Sequence, residues 1–406
     1  MRRETTDCVI AGGGPAGVML GYLLARAGVR VIVLEKHADF FRDFRGDTVH
    51  PSTLQVMHEL GVLDRFLQRP HDRLAQVGIN FDGREFAIAD FRRLHTRCKF
   101  IAFMPQWEFL DFLADEGREL ANFTLLMSSR AEGLIEEAGR VRGVRAQTPD
   151  GPVEIFADLT VAADGRSSTL RSAARLVSMS FGAPIDVLWM RLSKQTSDPA
   201  QTLGRIGRGK MLVTIDRGDY WQCALVIPKG GYEALRARGL PALRQGIAEV
   251  APHLAARLQE LAGWDDVKLL TVLVDRLERW SRPGFLCIGD AAHAMSPIAG
   301  VGVNLAVQDA VAAANRLAKP LREHRLSEAD LVAVQRRREP PTRITQAMQM
   351  FVQDNLLRPV IDGRAPMKPP LIFRLLDALP PLRALPARFV GLGARPEHIG
   401  PELARP

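Results

Sequence analysis

The sequence predicts an α/β fold of mixed α+β character: a Rossmann-like nucleotide-binding domain, an inserted β-sheet domain and a helical C-terminal tail. Three observations predict it. A strand, a glycine turn and a helix open the chain, in CVIAGGGPAGVMLGYLLARAGVRVIVLEK from Cys8 to Lys36. The middle, from about residue 176 to 265, is mostly strand-like, as in IDVLWMRL and MLVTIDRGDYWQCALVI. A strand, a turn, a glycine loop and a long helix then return in RPGFLCIGDAAHAMSPIAGVGVNLAVQDAVAAANRLAKPL.

The opening segment is justified residue by residue. DCVIAGG reads as a short buried strand. Val18, Leu20, Leu23 and Leu24 recur at helical spacing, and Gly28 stands where a C-cap belongs. Val29 to Glu35 is a second buried strand, so the whole is a βαβ unit of about 30 residues. Gly12, Gly14 and Gly17 fit G-x-G-x-x-G: the first permits a tight turn, the second a close approach of pyrophosphate, the third close helix–strand packing. The helix N-terminus offers free N–H groups and a positive dipole end to phosphates. Ala16 in the turn and Lys36 beyond the second strand complete the candidate contacts. Glu35 can accept both hydroxyl protons of a ribose and would repel a 2′-phosphate, so the turn suits the adenosine of FAD or NAD rather than NADP.

The following segments read in order. KHADFFRDFRGD is loop-like and PSTLQVMHELG is a capped helix. QVGINFDGREFAIAD is a hairpin about Asp82-Gly83. KFIAFMPQWEFLDFLADEG is a strand leading into an amphipathic helix, and LIEEAGRVRGVRAQTPDGPVEIFADLTVAADG is a small antiparallel sheet ending in a strand. The expected division is a discontinuous nucleotide domain (1–70, 98–175 and 266–345), a substrate domain (71–97 and 176–265) and a helical tail (346–406).

Composition excludes several classes. The net charge is +8, but arginine is scattered and no basic stretch is interleaved with aromatics, so no nucleic-acid partner is expected. No uncharged apolar run approaches the roughly 18 residues of a transmembrane helix, and MRRETTDCVIAGGG has no secretory pattern. A cytoplasmic protein is expected. The four cysteines form no CxxC and the nine histidines no HExxH, so no metal site is expected.

Three motifs in this order carry a resemblance. They are the N-terminal G-x-G-x-x-G, VAADGRSSTLR with Asp164-Gly165, and CIGDAAHAMSPIAGVGVNLAVQDA with Gly289-Asp290. The set resembles the FAD-dependent aromatic hydroxylases of the para-hydroxybenzoate hydroxylase type, the single-component group A flavoprotein monooxygenases, over about residues 5–345. The resemblance implies FAD as cofactor, NADH or NADPH as a transient reductant without a domain of its own, and O2. It implies a flavin C4a-hydroperoxide that hydroxylates an electron-rich aromatic small molecule. Asp164 is implied in binding FAD and NAD(P)H, Asp290 beside Gly289 in holding ribityl hydroxyls, and Pro297 in lying beside the isoalloxazine. Gly300, Val301, Gly302, Val303 and Asn304 are implied at its pyrimidine edge, where a helix N-terminus would stabilise the negative charge of reduced flavin. Arg45 and Gln106 match the family's arginine and glutamine near the cofactor.

The chain departs from the family type at the substrate. Its three tyrosines are Tyr22, Tyr220 and Tyr232, so the paired active-site tyrosines of para-hydroxybenzoate hydroxylase have no counterpart here. Asp47 and His50 are the candidate proton acceptors, with loop hydrogen bonding as the alternative. Arg191 and Tyr220 are the candidate substrate anchors, with core or surface roles as the alternative. The substrate is expected to be a largely apolar, electron-rich ring. The tail, with Phe351, Leu356, Leu357, Ile372, Phe373, Leu375 and Leu376, is expected to pack on the nucleotide domain, form a homodimer face or close over the substrate mouth. Alternative readings are a flavin-dependent reductase of C=C bonds, a halogenase and a non-catalytic flavin-binding protein.

Overall fold

A computed structural model describes residues 2–41, 48–199, 203–363 and 368–404. Strand β1 (Arg2–Ala11), helix α1 (Pro15–Arg26) and strand β2 (Val31–Leu34) form the expected βαβ unit. The helix ends where Gly28 takes φ +83°, a left-handed conformation that glycine adopts without steric cost. Val18, Leu20, Leu23 and Leu24 are fully buried, because they form the stripe that α1 lays on the sheet.

The hairpin Asp82-Gly83 joins β3 (Gln76–Phe81) to β4 (Arg84–Asp90). Both turn residues have positive φ, +50° and +87°, the pattern that matches strand twist in a two-residue turn. Helix α2 (Pro51–Glu59) precedes this hairpin and α3 (Gln106–Arg118) follows it. Next come β5 (Phe123–Leu126) and a meander of β6 (Arg130–Glu137), β7 (Arg140–Thr148) and β8 (Gly151–Ala162). The long β8 belongs to two neighbourhoods. Its first half pairs antiparallel with β7, and its whole length pairs parallel with β1.

The inserted sheet contains β9 (Ile185–Ser193), β10 (Leu203–Gly207), β11 (Lys210–Asp216), β12 (Tyr220–Pro228) and β13 (Lys268–Leu270). Its order is β13-β9-β12-β11-β10-β3-β4, so the early hairpin completes a sheet built mostly from later residues. Period-two alternation gives it two apolar faces. Leu188, Met190, Leu212, Trp221 and Cys223 point to the outer face. There the structure differs from the strand-like reading of 176–265: Tyr232–Ala237, α4 (Gly239–Val250) and Pro252–Glu260 are helical and cover that face. Leu243, Ile247, Val250, Leu254 and Leu258 are spaced by three and four, which is helical periodicity.

The first sheet is completed by β14 (Ser281–Arg282) and β15 (Phe285–Cys287), in the order β14-β15-β8-β1-β2-β5, with β7 and β6 branching from β8. Helix α5 (Gly302–Arg322) packs along α1. Helix α6 (Glu328–Val352) runs unbroken through residues 345 and 346, where the sequence suggests that the tail begins. A π-helical turn, Gln353–Leu357, follows it, then Arg358–Ile361, α7 (Leu371–Ala378) and α8 (Ala384–Leu392).

Below the outer face, Arg257 lies across Asp198, with Nη2 2.7 Å from Oδ1, and Trp221 Nε1 donates to Asp198 Oδ2 at 2.8 Å. Both charges are almost completely buried. Asp198→Ala leaves the guanidinium uncompensated and is expected to cost about 3–5 kcal/mol of stability. Chemical denaturation measures this, and cofactor stoichiometry in the folded variant is expected to stay at the wild-type value.

Candidate active site

Parallel pairing aligns the carboxyl ends of four strands. Ala11 of β1 is in register with Leu34 of β2 and Ala162 of β8, and Ala162 with Cys287 of β15. The loops that follow these residues carry Gly12–Gly17, Glu35, Asp164 and Gly289-Asp290. Residues up to about 280 positions apart in the chain therefore share one crevice beyond the strand ends, where open α/β sheets bind their ligands.

The glycine turn is shaped for a group approaching the backbone. A Cβ on Gly12 would lie 2.3 Å from the Ala163 carbonyl oxygen, and one on Gly17 1.9 Å from the Gly12 oxygen. Neither can be replaced without moving the turn. A Cβ on Gly14 would meet nothing within 4 Å, so open space stands before the start of α1. Gly14 is the N-cap and no side chain caps the helix, which leaves its first-turn amides to a ligand. Glu35 is buried; its Oε2 accepts from Gly13 N and its Oε1 from His37 N, both at 3.0 Å. Ala16 is buried behind the turn, while Lys36 is exposed.

The second end of the crevice is held by a buried charge cluster. Asp309 has no solvent exposure; its Oδ2 accepts from Gly289 N at 3.0 Å and lies 2.6 Å from His293 Nε2. Its Oδ1 accepts from Arg338 Nε at 3.0 Å. Asp309 titrates lower than an ordinary carboxyl, because His293 and Arg338 outweigh the upward push of burial. This cluster fixes Gly289 and leaves the half-buried Asp290 facing outward, 3.7 Å from Arg166 Nη2. Arg171 donates to the Ala291 and Arg166 carbonyls, tying the Asp164 loop to the Asp290 turn. Asp164 Oδ2 accepts from Leu170 N (3.3 Å) in the first turn of the short helix Thr169–Ala173, and its Oδ1 is buried without a partner.

The third part is the glycine loop before α5. Gly300 has φ +61°, and a Cβ there would lie 2.4 Å from Thr48 Oγ1, which donates to the Gly300 carbonyl at 2.9 Å. Val301 is the N-cap of α5, again with no side-chain cap; Gly302 and Val303 are half-buried in its first turn. Asn304 Oδ1 accepts from His50 N and Thr53 Oγ1, while its Nδ2 is buried without a partner. Pro297 is half-buried between this loop and the Asp290 turn. Gln106 starts α3 and is half-buried. Arg45 and Asp47 lie outside the described residues.

The crevice fits FAD on these observations. Two uncapped helix N-termini, an orphan acceptor on Asp164, an orphan donor on Asn304 and the open face of Gly14 suit a long ligand with phosphates at one end and a polar ring at the other.

Beyond the glycine loop lies the inner face of the inserted sheet. Val187, Trp189, Ala224, Val226, Met211 and Val213 share that face, and Ile298 packs against the same group. The two anchors expected from sequence lie at its rim. The Arg191 guanidinium stacks 3.8 Å over the Tyr220 ring and pairs with Asp219 at 3.5 Å, with much of its side chain exposed. They meet each other there, rather than standing over the apolar centre. Sequence reasoning missed Trp189, although the alternation in VLWMRL places it opposite the outward Leu188 and Met190. It also missed Asp309 and His293, both inside the quoted glycine-loop motif.

His50 caps α2 and is fully buried, with Nδ1 2.8 Å from the Val390 carbonyl of α8. A carbonyl only accepts, so Nδ1 carries the proton and Nε2, which has no partner, is the acceptor. Burial lowers its pKa from 6.5 to about 4, so the ring is neutral. Below pH 6.5 the unfolded chain binds a proton that the folded chain refuses. The neutral ring's contribution is thus full above that pH and declines as pH falls to about 4, by up to about 3 kcal/mol. His50→Gln is expected to flatten this part of the stability profile, which urea denaturation between about pH 7 and pH 4.5 would measure; a profile of unchanged slope rejects the assignment.

Known proteins now bear on the crevice. The sequence profile of the FAD-binding domain family matches residues 5–348. The chain is 35% identical over 355 residues to 6-methylpretetramide 4-monooxygenase of Streptomyces rimosus, covering 85% of this chain and 83% of that one. It is 30% identical over 318 residues to the 12-dehydrotetracycline 5-monooxygenase/anhydrotetracycline 6-monooxygenase of Streptomyces rimosus subsp. rimosus, covering 75% of this chain and 61% of that longer protein. Among solved structures, the OxyS anhydrotetracycline hydroxylase from Streptomyces rimosus shares the fold at TM-score 0.75 and 23% identity, over 95% of this chain and 76% of that one. The glycine turn, the Asp164 loop and the Asp290 turn meet in one crevice inside the matched region, and the chain belongs to the FAD-dependent aromatic hydroxylases of the para-hydroxybenzoate hydroxylase type.

Proposed function

We propose that this monooxygenase hydroxylates a fused-ring, aromatic polyketide-like small molecule, using NADH or NADPH and O2. The observation that carries the reading is the apolar inner face around Trp189, set against Ile298 of the loop that would flank the flavin. A flat surface of Val187, Trp189, Ala224 and Val213 suits an extended ring system better than a small charged acid. The relatives named for 6-methylpretetramide and anhydrotetracycline act on such rings.

FAD bound in the crevice would supply the oxygen-activating chemistry once reduced by NAD(P)H. The chain's own groups do the rest. The turn Gly12–Gly17 and the α1 N-terminus take the pyrophosphate, Glu35 the adenosine ribose, and Asp164 and Asp290 the ribityl side. Gly300, Val301, Gly302, Val303 and Asn304 would hold the pyrimidine end of the flavin, where the dipole of α5 would stabilise negative charge. With FAD bound, Pro297 and Ile298 would lie between it and the apolar sheet face, and those apolar walls would exclude water that diverts oxygen to hydrogen peroxide. Of the two proton acceptors suggested by sequence, His50 offers an unprotonated Nε2, and Asp47 stays a candidate on its position after Arg45. Arg191 and Tyr220 are candidates for a polar substituent at the rim.

The exposed Leu371, Ile372, Leu375 and Leu379 on α7 and its end support a homodimer face. Four free, buried cysteines and an NAD(P)H requirement support a cytoplasmic setting. Among the described residues, no helix is long and apolar enough to cross a membrane. The division proposed is a nucleotide domain of 1–70, 98–175 and 266–345, a substrate domain of 71–97 and 176–265, and a tail of 346–406; the two separate large sheets support the first two.

Two experiments test the reading. Purified protein with FAD is incubated with anhydrotetracycline and NADH or NADPH. Substrate-stimulated oxidation of the reductant and a product heavier by one oxygen are expected; saturation of a C=C bond instead would favour the reductase. Glu35→Arg is expected to retain less FAD than Glu35→Gln, since an amide keeps one acceptor and arginine none, whereas glutamine still loses one of the amide contacts from Gly13 and His37. Equal FAD affinities measured by fluorescence titration would place Glu35 away from the ribose.

A further inference from the structure

The loop between the Asp290 turn and α5 has few regular hydrogen bonds of its own, yet most of it is buried. Its backbone is held from one side by α6. Gln346 Nε2 donates to the carbonyls of Asp275 (2.7 Å) and Ala294 (3.1 Å), and its Oε1 accepts from Arg276 Nη1 at 2.6 Å. One turn on, Gln349 grips Ser296 from both sides. Its Oε1 accepts from Ser296 N at 3.2 Å, and its Nε2 donates to the carbonyls of Ser296 (2.9 Å) and Ile298 (3.0 Å). One turn further, Gln353 Nε2 donates to Ser296 Oγ at 2.6 Å. All three glutamines are at least nine-tenths buried.

The spacing is i, i+3, i+7, which puts three carboxamides on one helical stripe. Carboxamides are the side chains suited to this task, since each offers a donor and an acceptor to a backbone that needs both. Burying three of them against a short loop is costly unless their hydrogen bonds are made, and Gln349 makes three. At Gln353 the helix changes to π-helical hydrogen bonding, a feature often found at functional sites. The residues of that turn, Leu356 and Leu357, pack with Ile298 and with Val187, Ala224 and Val226 of the sheet's inner face. The same helix end thus touches the substrate wall and clamps the loop beside the flavin crevice.

We infer that Gln349, flanked by Gln346 and Gln353, is a positioning residue that fixes the height of Ser296, Pro297 and Ile298 between the flavin ring and the substrate face. The inference rests on the monooxygenase reading and adds a specific device to it. Pro297 and Ile298 carry no side-chain polar group of their own, so their placement depends on the backbone bonds that Gln349 makes. Loosening the loop would leave the pyrophosphate and ribose contacts intact, because those lie on β1, α1 and β2. It would alter the environment of the ring alone.

The test compares Gln349→Leu with Gln335→Leu in FAD-loaded protein. Gln335 lies on the same helix and makes the same kind of clamp, donating to the Glu278 carbonyl at 2.9 Å and accepting from Trp280 N at 3.0 Å, but its backbone partners precede the Asp290 turn and do not include the loop. Gln353→Leu removes the single bond to Ser296 Oγ and serves if Gln349→Leu does not fold. Backbone hydrogen exchange of the 293–301 peptide is expected to rise about tenfold in Gln349→Leu and less in Gln353→Leu, the size a lost buried hydrogen bond supports. The visible absorption and circular dichroism bands of bound FAD are expected to shift in the same variants at unchanged FAD stoichiometry, and hydrogen peroxide formed per NAD(P)H consumed to rise. Gln335→Leu is expected to lower the melting temperature with neither effect. FAD-loaded variants at 349 or 353 whose loop exchange and flavin bands match those of Gln335→Leu overturn this inference alone. Wild-type protein that takes up no FAD overturns the monooxygenase reading and this inference with it.

Discussion

A single carboxylate with no access to water organises the molecule. Asp309 sits in α5, and its two oxygens bind Gly289 of the Asp290 turn, His293 four residues on, and Arg338 of α6. Arg338 in turn donates to Glu397 and to the Arg395 carbonyl, and Arg337 donates to Glu397 from the next position. Three chain segments meet at that one charge, and a fourth joins them through Arg338. A buried carboxylate is costly unless its neighbours compensate it, so none of the partners can leave without stranding another. The C-terminal stretch around Glu397 is therefore bound to the cofactor crevice through two ion pairs, although it follows Asp290 by more than a hundred residues.

That cluster also explains what was legible in the sequence and what was not. The glycine turn was legible because its constraint is local: Gly12 must clear the Ala163 carbonyl and Gly17 must clear Gly12, and glycines at fixed spacing are how a chain solves that problem. The hairpin at Asp82-Gly83 was legible for the same reason, two positive φ values in succession. The partners of Asp309 lie 16 and 29 positions away, at distances no periodicity marks. The helices covering the outer sheet face were misread because the strands before them dominate the composition of the region; the spacing from Leu243 to Leu258 shows them once the strands are set aside. A tail beginning at 346 follows from the apolar, proline-rich composition of PPLIFRLLDALPPLRALPARFVG, whereas α6 carries its helical hydrogen bonding on to Val352. The candidate site was legible at its cofactor end, where motifs are contiguous. It was poorly legible at its substrate end, which is a surface of alternating residues drawn from several strands.

The tail illustrates how one stretch can serve two ends. Phe373, which the sequence offers as part of a closing flap, packs against Phe81 and Phe86 at ring separations of 6.5 and 6.1 Å, under the edge strands of the inserted sheet. Phe351 is 66% exposed. Leu356 and Leu357 instead lie against the inner face, and Val390 of α8 packs near Ile215 and Trp189 while its carbonyl receives His50. The tail thus packs against two parts of the inner face of the inserted sheet. These segments are held by buried bonds, through Arg338 to Asp309, from Val390 to His50 and from Gln349 and Gln353 to Ser296. Each of those bonds joins buried polar groups, so moving one of these segments would strand its partner without a hydrogen bond, and their spacing from the sheet is correspondingly costly to change.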